Sequence, residues 1–215
     1  MRLDRSVGWV ERLIRILSDD EQQRAARFCF EPDATRFVVG RAALRTILGE
    51  HLGIDPDTIR LTYGPQGRPE LAPPFDATGL RFSLSRSESL GLCAVTRGQR
   101  IGVDVERVRP LPDMEAIAER MFLPRERRAI RRLPEPRRPQ AFFERWTRME
   151  AYGKALGEGI AGSVERERDA AAAAVGRWSL EAFVPDPGYV AAIAVEGRIS
   201  RLICRSWPGV NARLT

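Results

Sequence analysis

Apolar positions along the chain change period several times, and each change marks an element. Val7, Val10, Ile14 and Leu17 recur at helical spacing and predict a short amphipathic segment over 7–17. Phe37, Val38, Ala42, Leu44, Ile47 and Leu48 supply the apolar face of a longer helix of about 20 residues, capped by Asp33 and running to His51. Asp55-Pro56-Asp57 breaks it, Ile59–Tyr63 reads as a strand, and Gly64–Pro69 reads as a loop. Leu80–Leu84 alternates as a strand, and Leu90–Thr96, Arg97-Gly98-Gln99 and Arg100–Glu106 read as a β-hairpin. Beyond Pro110 and Pro112, Met114–Phe122, Arg125–Leu133 and Gln140–Leu156 read as helices, the last ended by Gly157 and Gly159. Ala170–Ala174 is a low-complexity patch. Trp178–Val184, Tyr189–Val195 and Ile199–Trp207 read as strands.

The order of elements repeats. A helix ending LGEHLGI (48–54) parallels one ending ALGEGI (155–160), and LGLCAVTRGQRIGVDV (90–105) parallels YVAAIAVEGRISRLICR (189–205). The pattern therefore predicts an α+β protein built as a pseudo-dimer of two similar α+β halves, 1–108 and 109–215. The candidate active site falls at their junction, a favoured place for ligands.

At 215 residues, with 43% hydrophobic and 30% charged residues, the chain has the composition of a soluble globular protein. Its formal charge of +6 is uneven: residues 1–108 hold 16 basic and 15 acidic side chains, 109–215 hold 19 and 14. Such a surface favours an acidic partner. Cys29, Cys93 and Cys204 are too widely spaced for a metal site or a disulfide framework, and Cys29 and Cys93 read as core residues. An N-terminus carrying Asp4, Glu11, Asp19 and Asp20, with no apolar run long enough to span a bilayer, predicts a cytoplasmic protein with no membrane partner.

Two clusters carry candidate chemistry. In Ile101–Glu106 the strand period puts Gly102, Asp104 and Glu106 on one face. Two carboxylates from one rigid edge, with a third nearby, suit Mg²⁺, though a solvated strand face reads the same way. In Trp146–Lys154, Glu150 and Lys154 lie four apart on one helix face, as a surface ion pair or as a metal ligand beside a phosphate-binding ammonium. Lys154 is the only lysine among 35 basic residues. A compact, mobile point charge in an otherwise arginine-using chain fits a phosphate contact.

Taken together, Gly67-Arg68-Pro69, Phe82-Ser83-Leu84-Ser85-Arg86-Ser87, Gly102–Glu106 and Trp146-Thr147-x-x-Glu150-x-x-x-Lys154 followed by Ala155–Gly159 resemble the 4′-phosphopantetheinyl transferases of the surfactin-synthetase-activating type, over about 24–160. That resemblance implies transfer of 4′-phosphopantetheine from coenzyme A to a serine of an acidic acyl or peptidyl carrier protein, releasing 3′,5′-ADP. It implies a metal set of Asp104, Glu106 and Glu150 for Mg²⁺, with Lys154 on the pyrophosphate and Glu150 as candidate general base. Arg68 and Ser85 are expected at the nucleotide end of coenzyme A and Arg24 and Arg36 at its 3′-phosphate, with Pro69, Arg86 and Asp104 also among its contacts.

Arg86 stands where the family has histidine. Arginine can still hold a phosphate but cannot act as a base, so a non-catalytic coenzyme A- or carrier-binding relative is the alternative. The arginine-rich stretch 125–138 is a candidate carrier-docking segment. It lacks the aromatic platform of a nucleic-acid surface, so no nucleic-acid partner is expected. One chain would complete its own site as a monomer.

Overall fold

The protein is described here from a computed structural model, covering residues 1–157 and 177–207. Gly159 and the Ala170–Ala174 patch lie outside the described residues, as do Glu158–Ile160 of the family and repeat matches. Packing divides the chain into two units. The first comprises Met1–Thr78, Glu88–Gly91 and the described residues from Leu202; the second comprises Gly79–Ser87 and Leu92–Arg201.

The first unit is mainly helical. Helix α1 (Val7–Leu13) passes into a 3₁₀ turn (Ile14–Ile16), followed by α2 (Asp19–Ala25) and the long α3 (Glu31–Leu52). Leu13, Leu17, Phe37, Val38, Val39, Ala42 and Ala43 form its core with Leu3 and Trp207. Val7, read as part of the apolar stripe, is instead exposed. The N-cap of α3 is Phe30 rather than Asp33, which lies in the first turn beside Glu31, where a negative charge meets the positive helix end. Strands β1 (Leu61–Tyr63) and β2 (Pro69–Leu71) pair antiparallel around the Gly64–Arg68 turn, so the segment read as loop already begins a strand at Pro69.

The second unit carries a three-stranded antiparallel sheet in the order β5-β7-β6, made of β5 (Ile101–Arg107), β7 (Tyr189–Glu196) and β6 (Trp178–Phe183). A separate pair links β3 (Leu80–Ser87) to β4 (Leu90–Arg97). The predicted hairpin of 90–106 is therefore not a paired ladder: β4 pairs with β3, and β5 pairs with β7. Both segments alternate as strands, but alternation does not say which strand takes which edge. Ile199–Trp207 is not a strand either. Both edges of β7 are already occupied, and Leu202 and Ile203 are exposed.

Helices α4 (Met114–Met121), α5 (Pro124–Arg131) and α6 (Arg138–Leu156) complete this unit. Phe122, Ile130, Phe142, Phe143 and Met149 pack together with Val190 of β7. Trp146 stacks on Phe142, and Tyr152 meets Trp178 edge-on, so both aromatics anchor α6. Gly157, in the left-handed region at φ 79°, caps the end of α6.

Cys29 is exposed, not a core residue as its neighbours suggest, because it sits in the connection before α3. Cys93 is partly buried, and desolvation pushes its thiol up to about 12. Among the described residues no helix is long and apolar enough to cross a membrane.

Candidate active site

The site is built by a close approach of α6 to the sheet. In register, Gly102, Asp104 and Glu106 of β5 stand opposite Ala194, Ala192 and Val190 of β7. Ala192 and Ala194 pack with Ala151, Tyr152 and Ala155 of α6. Small side chains on this face let the helix backbone descend onto the strands. At Gly102 the approach is closest: a methyl group there would overlap the Ala151 carbonyl and the Ala155 amide. The glycine is thus a steric requirement, and it brings the Glu150–Lys154 edge of α6 to the carboxylate face of β5.

Lys154 Nζ donates to Asp104 Oδ1 at 2.6 Å and to Ser85 Oγ at 2.9 Å, and Ser85 Oγ donates to the same Asp104 oxygen at 2.7 Å. Asp104 is 4% exposed, and its other oxygen, Oδ2, is buried with no hydrogen-bond partner. Glu106 Oε2 accepts from Ser87 Oγ at 2.6 Å and lies 3.7 Å from Arg109 Nη1.

Burial is the main force on both glutamates. It raises the carboxyl of Glu106, aided by the charge of Asp104 and opposed by the Ser87 bond, Arg109 and Lys154. It likewise raises the carboxyl of Glu150, aided by Asp104 and Glu106 and opposed by Lys154. Three carboxylates sense one another around one ammonium, with the Arg109 guanidinium beside Glu106, a cluster short of positive charge.

Three serines of β3 hold this arrangement and were not singled out as a group in the sequence. Strand β5 has β7 on one edge only. On its other side the amides of Val103, Val105 and Arg107 donate to Ser83, Ser85 and Ser87 Oγ at 3.1, 3.4 and 3.1 Å. The Ser-x-Ser-x-Ser alternation was the available signal, since period two puts all three hydroxyls on one face. Arg86 alternates to the opposite face of β3 and is exposed.

Glu126 also acquires a definite place. It accepts from the Leu123 amide at 2.9 Å, capping α5, and its Oε1 lies 2.7 Å from Arg145 Nε of α6.

Among the residues read from sequence, the second unit thus gathers Ser85, Asp104, Glu106, Glu150 and Lys154. Arg24, Arg36, Arg68 and Pro69 belong to the first unit. There Arg24 lies over the Phe37 ring, at 5.4 Å from its centroid. Arg36 Nε donates to Asp4 at 2.8 Å, and that bond raises its guanidinium further above its ordinary range. Arg68 precedes β2, and burial lowers its guanidinium.

A carboxylate-rich pole beside an ammonium suits chemistry on a phosphate group, and the class of the chain comes from comparison with known proteins. The chain belongs to the 4′-phosphopantetheinyl transferase superfamily and is an enzyme of that class. A model of that superfamily matches residues 100–192, and a model of a 4′-phosphopantetheinyl transferase N-terminal domain matches 6–97, in line with two similar α+β halves. It is 43% identical to the 4′-phosphopantetheinyl transferase HetI of Nostoc sp. over 201 residues, 91% of this chain and 85% of that one. It is 26% identical to the transferase Sfp of Bacillus subtilis, over 95% and 89% of the two chains. It is also 26% identical to the mouse L-aminoadipate-semialdehyde dehydrogenase-phosphopantetheinyl transferase, over 71% of this chain and 52% of that one.

Proposed function

We propose that the chain transfers 4′-phosphopantetheine from coenzyme A to a serine hydroxyl of an acidic acyl or peptidyl carrier protein, releasing 3′,5′-ADP, with Mg²⁺ held by Asp104, Glu106 and Glu150. The observation that carries the cation is Asp104 Oδ2, a buried oxygen without a partner in a cluster of three carboxylates and one ammonium. Orphaned buried oxygens are costly unless a ligand satisfies them. Among the described residues no three donors close around a metal on their own. Mg²⁺ suits such a place because it takes carboxylate oxygens without a closed protein cage and leaves the remaining positions to water and substrate phosphate. When bound, it neutralises charge on the phosphate oxygens.

The chain's own residues supply the rest. Lys154, held by Asp104 and Ser85 and about a quarter exposed, offers its ammonium to a pyrophosphate oxygen. Glu150, with its carboxyl raised above the ordinary carboxylate range by burial, takes the proton of the attacking serine. The serine oxygen bonds to the pantetheine-linked phosphorus as the bond to the departing 3′,5′-ADP breaks. Arg24 and Arg36 are assigned to the 3′-phosphate, and Arg68, Pro69, Ser85, Arg86 and Asp104 to the remainder of coenzyme A. The halves 1–108 and 109–215 are proposed as the units of the internal repeat.

For the carrier, residues 120–138 hold eight arginines and two glutamates, the whole of the chain's +6. The rest of the sequence balances, so any acidic partner is drawn to this segment. Arg125, Arg128, Arg132 and Arg137 are exposed there, whereas Arg131 is already engaged by Glu115 and Glu119. We place the reaction in the cytoplasm, in a monomer, consistent with the three free cysteines.

The test is intact-mass spectrometry of an apo carrier protein incubated with this protein, coenzyme A and Mg²⁺, with an EDTA control. A gain of one phosphopantetheinyl group that EDTA abolishes is the expected result. No gain on several carrier types, with coenzyme A bound, would overturn it.

A further inference from the structure

Ser87 holds a position that the reaction chemistry leaves unexplained. Its hydroxyl accepts the Arg107 amide at 3.1 Å and lies 2.6 Å from Glu106 Oε2. A hydroxyl carries one proton, and a carboxylate can only accept, so that proton is given to Glu106. Both partners of the hydroxyl belong to β5, one a backbone amide and the other a side chain one residue earlier. The serine is therefore fixed by the strand it serves. With Oε2 taken by Ser87 and lying near Arg109, Glu106 keeps Oε1 uncommitted among the described residues.

Ser83 provides the internal contrast. It accepts the Val103 amide in the same ladder, and no carboxylate hydrogen bond of its hydroxyl is seen among the described residues. Ser85 is less informative, because Lys154 and Asp104 share its hydroxyl.

We infer that Ser87 is a positioning residue that orients the Glu106 carboxylate for the divalent cation. The inference rests on the proposed cation role of Glu106. Partners of this kind usually contribute 10–100-fold in metal affinity or activity, roughly, by fixing a ligand's direction.

The experiment is Mn²⁺ titration of the folded protein by electron paramagnetic resonance, with and without coenzyme A. Folding of each variant is checked by thermal melting. Ser87→Ala and Ser87→Val are expected to weaken Mn²⁺ by about tenfold. Ser87→Thr, isosteric with valine but retaining the hydroxyl, is expected to bind as the parent does, and Ser83→Ala likewise. If alanine at 87 prevents folding, the threonine and valine pair carries the comparison. On a Glu106→Gln background, Ser87→Val should add no further loss, since the serine acts through that carboxylate. Parent-like affinity in Ser87→Val while Glu106→Gln weakens binding would overturn the inference and leave the cation site standing. An equal loss in Ser83→Ala would assign the effect to the ladder and also overturn it. Unchanged affinity in Glu106→Gln would remove the cation role of Glu106 and this inference with it.

Discussion

Two regions bury charge, and they balance it differently. In the first unit Glu21 and Arg45, each 1% exposed, meet at 2.6 Å, and Arg41 lies 3.8 Å from the other Glu21 oxygen. Arg45 also donates to the Ile59 and Pro56 carbonyls, and the Ser18 amide donates to Glu21. One carboxylate faces two guanidinium groups, and the cluster ties α2, α3 and the chain before β1 together. In the second unit three carboxylates face one ammonium and one guanidinium, that of Arg109, and Asp104 Oδ2 has no partner. Glu21 Oε1 and Arg41 Nη1 also lack hydrogen-bond partners, so an orphaned atom does not separate the two regions. The first has more cation than carboxylate and links elements of the fold, whereas the second has more carboxylate than cation, as the proposed cation and phosphate site needs.

The sharpest break of this comparison is Glu150→Gln. Transfer should fall by about 10³-fold or more if Glu150 is the proposed general base, with the fold intact by circular dichroism. Near-normal initial rates would remove the proposed site chemistry. In the other region Arg45→Met should cost about 3 kcal/mol in urea unfolding, because buried Glu21 loses its hydrogen-bonded guanidinium and keeps only that of Arg41, 3.8 Å away. Recovery should require removing all three charges, as in Glu21→Leu with Arg41→Met and Arg45→Met, because the double variant Glu21→Leu/Arg45→Met leaves Arg41 buried without its carboxylate. Transfer per folded molecule should change little in any of them.

Gly102→Ala tests how the poles are assembled. Displacing α6 by about 1 Å should cost about 10²-fold in turnover, alongside about 1–3 kcal/mol of stability from overpacking. An alanine variant with parental rate would show that the close helix approach is dispensable.

Within the second unit, the acid–base behaviour of the carboxylate cluster and of the surface residue Glu196 should differ in sign. Glu106 and Glu150 hold their protons more tightly folded than unfolded. Metal-free protein should therefore lose stability as pH rises from the ordinary carboxylate range through their raised values. Glu150→Gln should remove part of that loss, so its melting temperature exceeds the parent's at neutral pH and converges with it in acid. Glu196, held down to about 2 by Arg100 and Arg177, should act oppositely, its contribution fading as pH falls below the ordinary range. High salt should shrink that surface effect. The smallest change is expected at Arg86→His, which should keep or raise transfer if Arg86 fills a phosphate-contact role. A clear loss would show that this position works differently here.

Period and spacing made the site's ingredients legible before any coordinates. Alternation in 101–106 put Asp104 and Glu106 on one face, and the i,i+4 pair put Glu150 and Lys154 on another. Helix α6 was readable for the same reason, since apolar residues repeating at helical spacing are a local property. Helix α3, by contrast, has no one-sided stripe: every residue from Phe37 to Arg45 is buried, Arg41 and Arg45 included.

Strand partnership was not legible. Segments 90–96 and 100–106 looked like one hairpin, yet belong to different sheets. Ile199–Trp207 alternated like a strand but joins no sheet among the described residues. Pairing depends on which edges remain vacant after the whole chain has folded. The serine ladder was visible as a pattern but meaningless without knowing that β3 lies along the open side of β5.

The sequence by itself therefore determined the residue types, their faces and the excess of carboxylate over ammonium, because these follow from local geometry and composition. Only the tertiary structure decided that α6 descends onto Gly102, that Lys154 reaches Asp104, and that one Asp104 oxygen is left without a partner. Those facts depend on long-range packing, where small side chains on β5 and β7 admit a helix backbone that no local pattern specifies.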